Sequence, residues 1–153
     1  MELRIKRAAV EEIRRHALDS YPNECCGVVL AGNGEHHVRR VDNIQNRLHM
    51  EDPIRNPRDA RLAYFMEPKQ LYAVLSEAEQ TDWRILAFYH SHPEHAAYFS
   101  EEDRARAMAW NEPAYPEAFY LVVSVVSGAV KDQIAVGWDP ERLAFVEAEL
   151  TVD

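Results

Sequence analysis

Between Ala8 and Asp19 the apolar positions Val10, Ile13, Ala17 and Leu18 recur at helical spacing, with Glu11, Glu12, Arg14 and Arg15 on the polar face. That pattern predicts a first helix, which Pro22 closes. The next run, Cys25 to Leu30, is apolar at successive positions, as expected of a central strand buried on both faces. Asn33-Gly34 then supplies a hairpin turn into the segment HHVRRV. From Asp42 to Arg61 neither period is visible, and Pro53 and Pro57 interrupt the chain, which predicts a long surface loop. LAYFM reads as a brief strand, and Pro68 suits the first turn of a second helix with Leu71, Leu75 and Ala78 on one stripe. WRILAFYH is dense in β-formers and reads as a buried strand. After the loop SHPEHAAYF, Ser100 can start a third helix reaching Trp110, ahead of Pro113 and Pro116. AFYLVVSVV, QIAVGW and RLAFVEAEL complete the strands, separated by turns at Ser127-Gly128 and Asp139-Pro140. Three helices among about seven strands predict an α+β fold, with helices layered on a mixed sheet.

Composition narrows the function classes. A length of 153 residues allows one domain over 1–153, and 47% hydrophobic with 28% charged residues is ordinary globular usage. Lys plus Arg number 17 against 26 for Asp plus Glu, a net charge of -9. Such a surface disfavours nucleic acid and anionic membranes and favours a neutral or basic partner. No apolar run approaches the roughly 18 residues of a membrane helix, and the start MELRIKRAAVEEIRR lacks a signal-peptide core, so the expected location is cytoplasmic. The only cysteines, Cys25 and Cys26, are adjacent, which suits reduced core thiols better than a disulfide framework or a metal knuckle. Neither GxGxxG nor GxxxxGK(S/T) is present to cradle phosphates.

Candidate chemistry gathers around His90. His92 lies two residues on, and period-2 alternation puts both imidazoles on one side of an extended chain, where they can share an ion. Ser100 and Asp103 stand at a helix start, so Asp103 can supply a third ligand from the first turn. Three protein ligands with an open fourth position is the arrangement of catalytic zinc. The same residues also have bland readings, with His90 and His92 as packed histidines and Ser100-x-x-Asp103 as an ordinary helix cap.

The combination of HSHP with SEED downstream, and of Glu24 just ahead of an apolar strand containing Gly27, resembles the JAMM (MPN+) metalloprotease family. The family pattern reads here as NECCGVVLAG followed by FYHSHPEHAAYFSEED. Its five functional positions are all filled. The resemblance implies a cytidine-deaminase-like layering of helices and sheet. It also implies one zinc ion held by His90, His92 and Asp103, with Glu24 as general acid/base and Ser100 as oxyanion donor. The short chain looks most similar to stand-alone bacterial members, which cleave after the diglycine tail of ubiquitin-like sulfur-carrier proteins and release cysteine or another appended residue. On that reading, the stretch from Asp42 to Arg61 and the segment from Pro93 to Phe99 would wall the groove for an extended tail. Tyr98 or Phe99 would stand beside the metal. His95 reads as a solvated loop residue. Two other functions stay open, a peptidase of unrelated target such as a phage-tail-type enzyme, and a non-catalytic MPN-like interaction module. Exposed sheet edges leave room for a homodimer.

Overall fold

The computed structural model describes residues 1–153. One seven-stranded mixed sheet organises the chain, in the order β1-β9-β8-β7-β4-β2-β3. Its strands are β1 (Glu2–Ile5), β2 (Cys26–Gly32), β3 (Glu35–Val41), β4 (Arg84–Pro93), β7 (Phe119–Val126), β8 (Ala129–Asp139) and β9 (Ala144–Val152). The helices are α1 (Arg7–Ser20), α2 (Gln45–Glu51), α3 (Pro68–Thr81) and α4 (Glu101–Arg106), and β5 (Met108–Ala109) pairs with β6 (Glu112–Pro113) in a separate small hairpin. The α+β class expected from the pattern is the one found. No helix is long and apolar enough to cross a membrane.

Strand alternation divides the apolar side chains between two cores. Val29, Tyr89, Leu121 and Val123 face α1 and pack with its Val10, Ile13 and Ala17. Val28, Leu30, Phe88, Tyr120 and Val122 face the other way and pack with Val74 and Ala78 of α3 and with Phe99. Consecutive strand residues point to opposite faces, so strands apolar at every position can occupy only the buried centre of a covered sheet. β2, β4 and β7 are adjacent there. At the Asn33-Gly34 turn both residues have positive φ (55° and 74°), the conformation that a two-residue hairpin matched to strand twist requires.

Three local expectations need correction, and one strand is not among those expected. The stretch from Asp42 to Arg61 contains α2, which shows no apolar stripe and is held by side-chain bonds to the backbone. Asn43 Oδ1 accepts from Gln45 N at its start, and Asn56 Nδ2 donates to the Leu48 and Asp52 carbonyls at its end. LAYFM is not a strand, because only Met66 makes a bridge, to Asn43. The third helix stops at Arg106, where Ala114 N captures the Ala107 carbonyl and the chain turns into the β5–β6 hairpin. At the tip of that hairpin Trp110 and Asn111 both have positive φ. Finally, Glu2–Ile5 forms β1, a parallel partner of β9. Its pairing residues lie more than 140 positions away, beyond the reach of any local pattern.

Candidate metal centre

β4 carries His90 and His92 to the face shared with Phe88, the side covered by α3 and α4. In the antiparallel β2–β4 ladder Cys26 pairs with His90. Continuing that register past the strand puts Cys25 opposite Ser91, a pairing closed by Cys25 N to Ser91 Oγ at 2.8 Å and Ser91 N to Cys25 O at 3.2 Å. One residue further, Glu24 falls opposite His92 and, by the period of 2, on the same face as both histidines. Its backbone is pinned by Glu24 N donating to Ala60 O (2.7 Å) and by Asn43 Nδ2 donating to Glu24 O (2.9 Å).

The fourth group arrives from α4. Ser100 caps that helix, its Oγ accepting from Asp103 N, while Asp103 Oδ2 accepts from Ser100 N, both at 3.0 Å. This reciprocal box, worth about 1 kcal/mol for such caps, also fixes where the Asp103 carboxylate points. The helix cap expected of Ser100-x-x-Asp103 is thus present, and it is compatible with a ligand role for Asp103.

The donor atoms converge. His90 Nε2 and His92 Nε2 are 3.1 Å apart, and Asp103 Oδ2 lies 3.2 Å from the first and 3.4 Å from the second. Ligands around a tetrahedral ion with bonds of 2.0–2.1 Å sit about 3.3 Å from one another, so this triangle has the edge lengths of three corners of such a site. His92 Nδ1 donates to Ala96 O at 3.1 Å, which leaves its Nε2 lone pair for a cation. Glu24, His90 and His92 form a second combination, with ligand atoms all within 4.8 Å of one another, so either carboxylate could complete a set. All four side chains are buried.

The electrostatics suit a bound cation. Burial, reinforced by the nearby Asp103 carboxylate, pushes Glu24 up to about 9. Burial lowers His90, favouring the neutral imidazole that a metal needs. Burial would raise Asp103, but hydrogen bonds from His90 and His92 and from Ser100 N outweigh it and hold the carboxyl well below the usual range. Several buried acceptors without an adjacent ammonium or guanidinium bonded to them are costly unless a cation compensates.

The cavity over these groups measures about 280 Å³ and is lined by Glu24, His92, Ser100 and Asp103 together with Arg58, Tyr98 and others. Of the two aromatic candidates, Tyr98 is the wall, edge-on to His92 at 5.0 Å, whereas Phe99 is buried in the core against Tyr120 and Phe145. His95 also lines the cavity, and its carbonyl is held by Ser124 Oγ. Sequence reasoning missed Tyr64, which stacks on His90 at 4.6 Å, and the pair Arg58 and Arg106, which share Glu102 at 2.6 and 3.2 Å. Arg58 stands in the polar stretch from Asp42 to Arg61 and Arg106 on the third expected helix, while Tyr64 lies in LAYFM, which reads as a strand, so no local signal ties any of them to the site. Cys25 and Cys26 are buried, and burial pushes both thiols up, Cys25 to about 12, so neither is poised as a nucleophile.

The chain is 31% identical over 111 residues to the desampylase of Haloferax volcanii, covering 72% of this chain and 69% of that protein. It is 28% identical over 118 residues to tail tip assembly protein K of Escherichia phage N15, covering 74% of this chain but 41% of that protein. Among solved structures, a protein from Desulfitobacterium hafniense superposes with a TM-score of 0.71 at 19% identity, covering 100% of this chain and 93% of the other. A JAB1/MPN domain protein from Archaeoglobus fulgidus superposes with a TM-score of 0.51 at 13% identity, covering 97% and 98%. At such identities these two likenesses concern the fold alone. Residues 6–136 match the model of the prokaryotic homologs of the JAB domain, and the chain belongs to that family.

Proposed function

We propose that this protein is a zinc-dependent peptidase or isopeptidase that cuts after the C-terminal diglycine tail of a ubiquitin-like or sulfur-carrier protein. The observation that carries the reading is the triangle of His90 Nε2, His92 Nε2 and Asp103 Oδ2, with edges of 3.1–3.4 Å beside a buried carboxyl. His90, His92 and Asp103 would hold the ion. Asp103 is preferred to Glu24 as third ligand because the Ser100 N–H already orients its oxygen toward both imidazoles. Bound zinc supplies a Lewis acid and lowers the pKa of water.

The chain's own residues supply the rest. Glu24, on the same face and tied by its backbone to Asn43 and Ala60, is kept protonated by burial; with a cation beside it the carboxylate would form, take the proton of the attacking water and pass it to the leaving amine nitrogen. Ser100 Oγ accepts from Asp103 N, so its O–H hydrogen stays free to donate to the oxygen that becomes negative in the transition state. The Ala96 carbonyl keeps His92 in one tautomer. Similarity to a desampylase supports a bond to a ubiquitin-like modifier as the target, and two glycines ahead of that bond let backbone approach where a Cβ would clash. Similarity to the phage tail tip protein supports a second reading, a peptidase with an unrelated target on the same machinery.

The test is a peptide ending in Gly-Gly-Cys against the same peptide with Ala-Ala before the cut, using protein assayed for metal. About one zinc per chain and faster release from Gly-Gly-Cys are expected. Glu24→Gln should keep the metal and lose about 10²- to 10⁴-fold in rate. Equal rates on the two peptides would favour the unrelated-target peptidase. No zinc after add-back would favour a non-catalytic module.

A further inference from the structure

An apolar groove lies beside the metal centre. It encloses about 570 Å³ between α3 and the β5–β6 hairpin, and Arg106 is its only charged lining residue. Phe88 and Tyr120 form its floor, Leu71, Tyr72 and Leu75 of α3 one wall, and Tyr115 part of the other. Tyr64 and Arg106 line both this groove and the metal cavity, so the two adjoin across these side chains. Tyr64 stacks on His90 at 4.6 Å, which places the groove one aromatic ring beyond the metal ligands.

Two features suit a peptide there. Tyr72 is 74% exposed, an unusual state for an aromatic side chain on a helix wall. Tyr120 is only 6% exposed, yet its hydroxyl is neither bonded to the protein nor occluded, since the sole unpartnered occluded side-chain atoms are His37 Nε2 and Gln45 Oε1. An apolar floor with available hydroxyls accepts an apolar side chain flanked by backbone amides.

We propose that this groove seats an apolar side chain of the substrate protein, at the third or fourth residue on the amino side of the cleaved bond. The inference rests on the proposed diglycine reaction, which sets the direction. When the released group is a single appended residue such as cysteine, only the amino side is long enough to cross Tyr64. An extended chain advances about 3.3 Å per residue, so the first side chains beyond two glycines stand roughly 10 Å from the cut, past one ring.

The test uses fluorescein-labelled heptapeptides ending in Leu-Leu-Gly-Gly or Ser-Ser-Gly-Gly, which are product-like and not turned over, titrated against the zinc-loaded protein by fluorescence anisotropy. The leucine peptide should bind about tenfold tighter or more, as burial of one such side chain implies. Tyr72→Asp, at an exposed position that leaves the fold intact, should abolish the preference, and Leu75→Ser should weaken it. Leu143→Asp, also 74% exposed but at the turn between β8 and β9, should retain it. Equal affinity for both peptides, or a preference that survives Tyr72→Asp, overturns the proposal. So does a dimer in sedimentation that Tyr72→Asp dissociates with no peptide preference, because a second copy would then cover the groove. Cleavage of a Ser-Ser-Gly-Gly-Cys peptide without a leucine preference would remove the groove's role and leave the reaction standing. A leucine preference without cleavage would do the reverse.

Discussion

Asn43 bonds to none of His90, His92 and Asp103, yet its removal should cost both stability and turnover. Its Nδ2 donates to Glu24 O at 2.9 Å and Ala63 O at 3.2 Å, and its Oδ1 accepts from Gln45 N and Phe65 N, both at 3.0 Å. One amide thus ties together the segment before β2, the start of α2 and the chain that carries Tyr64. Asn43→Ala deletes four bonds at once. At about 0.5–1.5 kcal/mol each, discounted because water reaches part of this half-buried site, the loss should be about 2–4 kcal/mol. For a chain of this size that lowers the melting temperature by roughly 5–15 °C. Turnover should fall about tenfold to hundredfold, since a displacement near 1 Å in a catalytic group is enough. Zinc content should persist, because His90, His92 and Asp103 hang on β4 and α4 instead. Asn43→Asp keeps the two acceptor bonds and loses the two donor bonds, so it should fall between wild type and Asn43→Ala in both readouts. Urea melts, metal analysis and Gly-Gly-Cys cleavage on the three proteins decide it. A destabilisation below about 1 kcal/mol with turnover unchanged would refute the reasoning.

Gly27→Ala should destabilise by about 1–3 kcal/mol, because an added Cβ would sit 2.3 Å from the ring and hydroxyl of buried Tyr89, and a melt within error of wild type would show that Tyr89 moves freely. Burial, with Arg40 nearby, lowers His16 to about 4 against the opposing Glu12, Asp19 and Asp42, and its Nδ1 lies 2.7 Å from the Tyr89 hydroxyl. The folded state therefore resists protonation. Its stability is full above the unfolded value near 6.5 and falls as pH drops from there toward 4, by about 2 kcal/mol at pH 5. His16→Gln should lose that much less stability between pH 7.5 and 5 in urea melts, and parallel losses would remove His16 as the cause. Asp103→Asn should weaken zinc retention against a competing chelator by at least about tenfold, having lost one charged ligand of three, and unchanged retention would transfer the third ligand to Glu24.

The sequence by itself determined whatever depends on neighbours along the chain. The HSHP spacing in a β-rich run placed His90 and His92 on one face, and Ser100-x-x-Asp103 defined a helix start, because strand period and capping are set by residues two or three apart. The α1 stripe, the buried β2 and β4 and the Asn33-Gly34 turn were legible for the same reason. Only the tertiary structure decided where distant segments meet. Glu24 reaches the histidines because the β2–β4 register happens to set it opposite His92, and a slip of one residue would turn its side chain to the α1 face. Helix α2, with no apolar stripe, exists through Asn43 and Asn56 bonds that no periodicity encodes. The aromatic groove joins α3, β4, β7 and a hairpin of two-residue strands, elements whose polar and apolar patterns say only that each has a buried side. Local periodicity fixes which face a residue takes, whereas the partner of that face is chosen by packing between segments far apart in the chain.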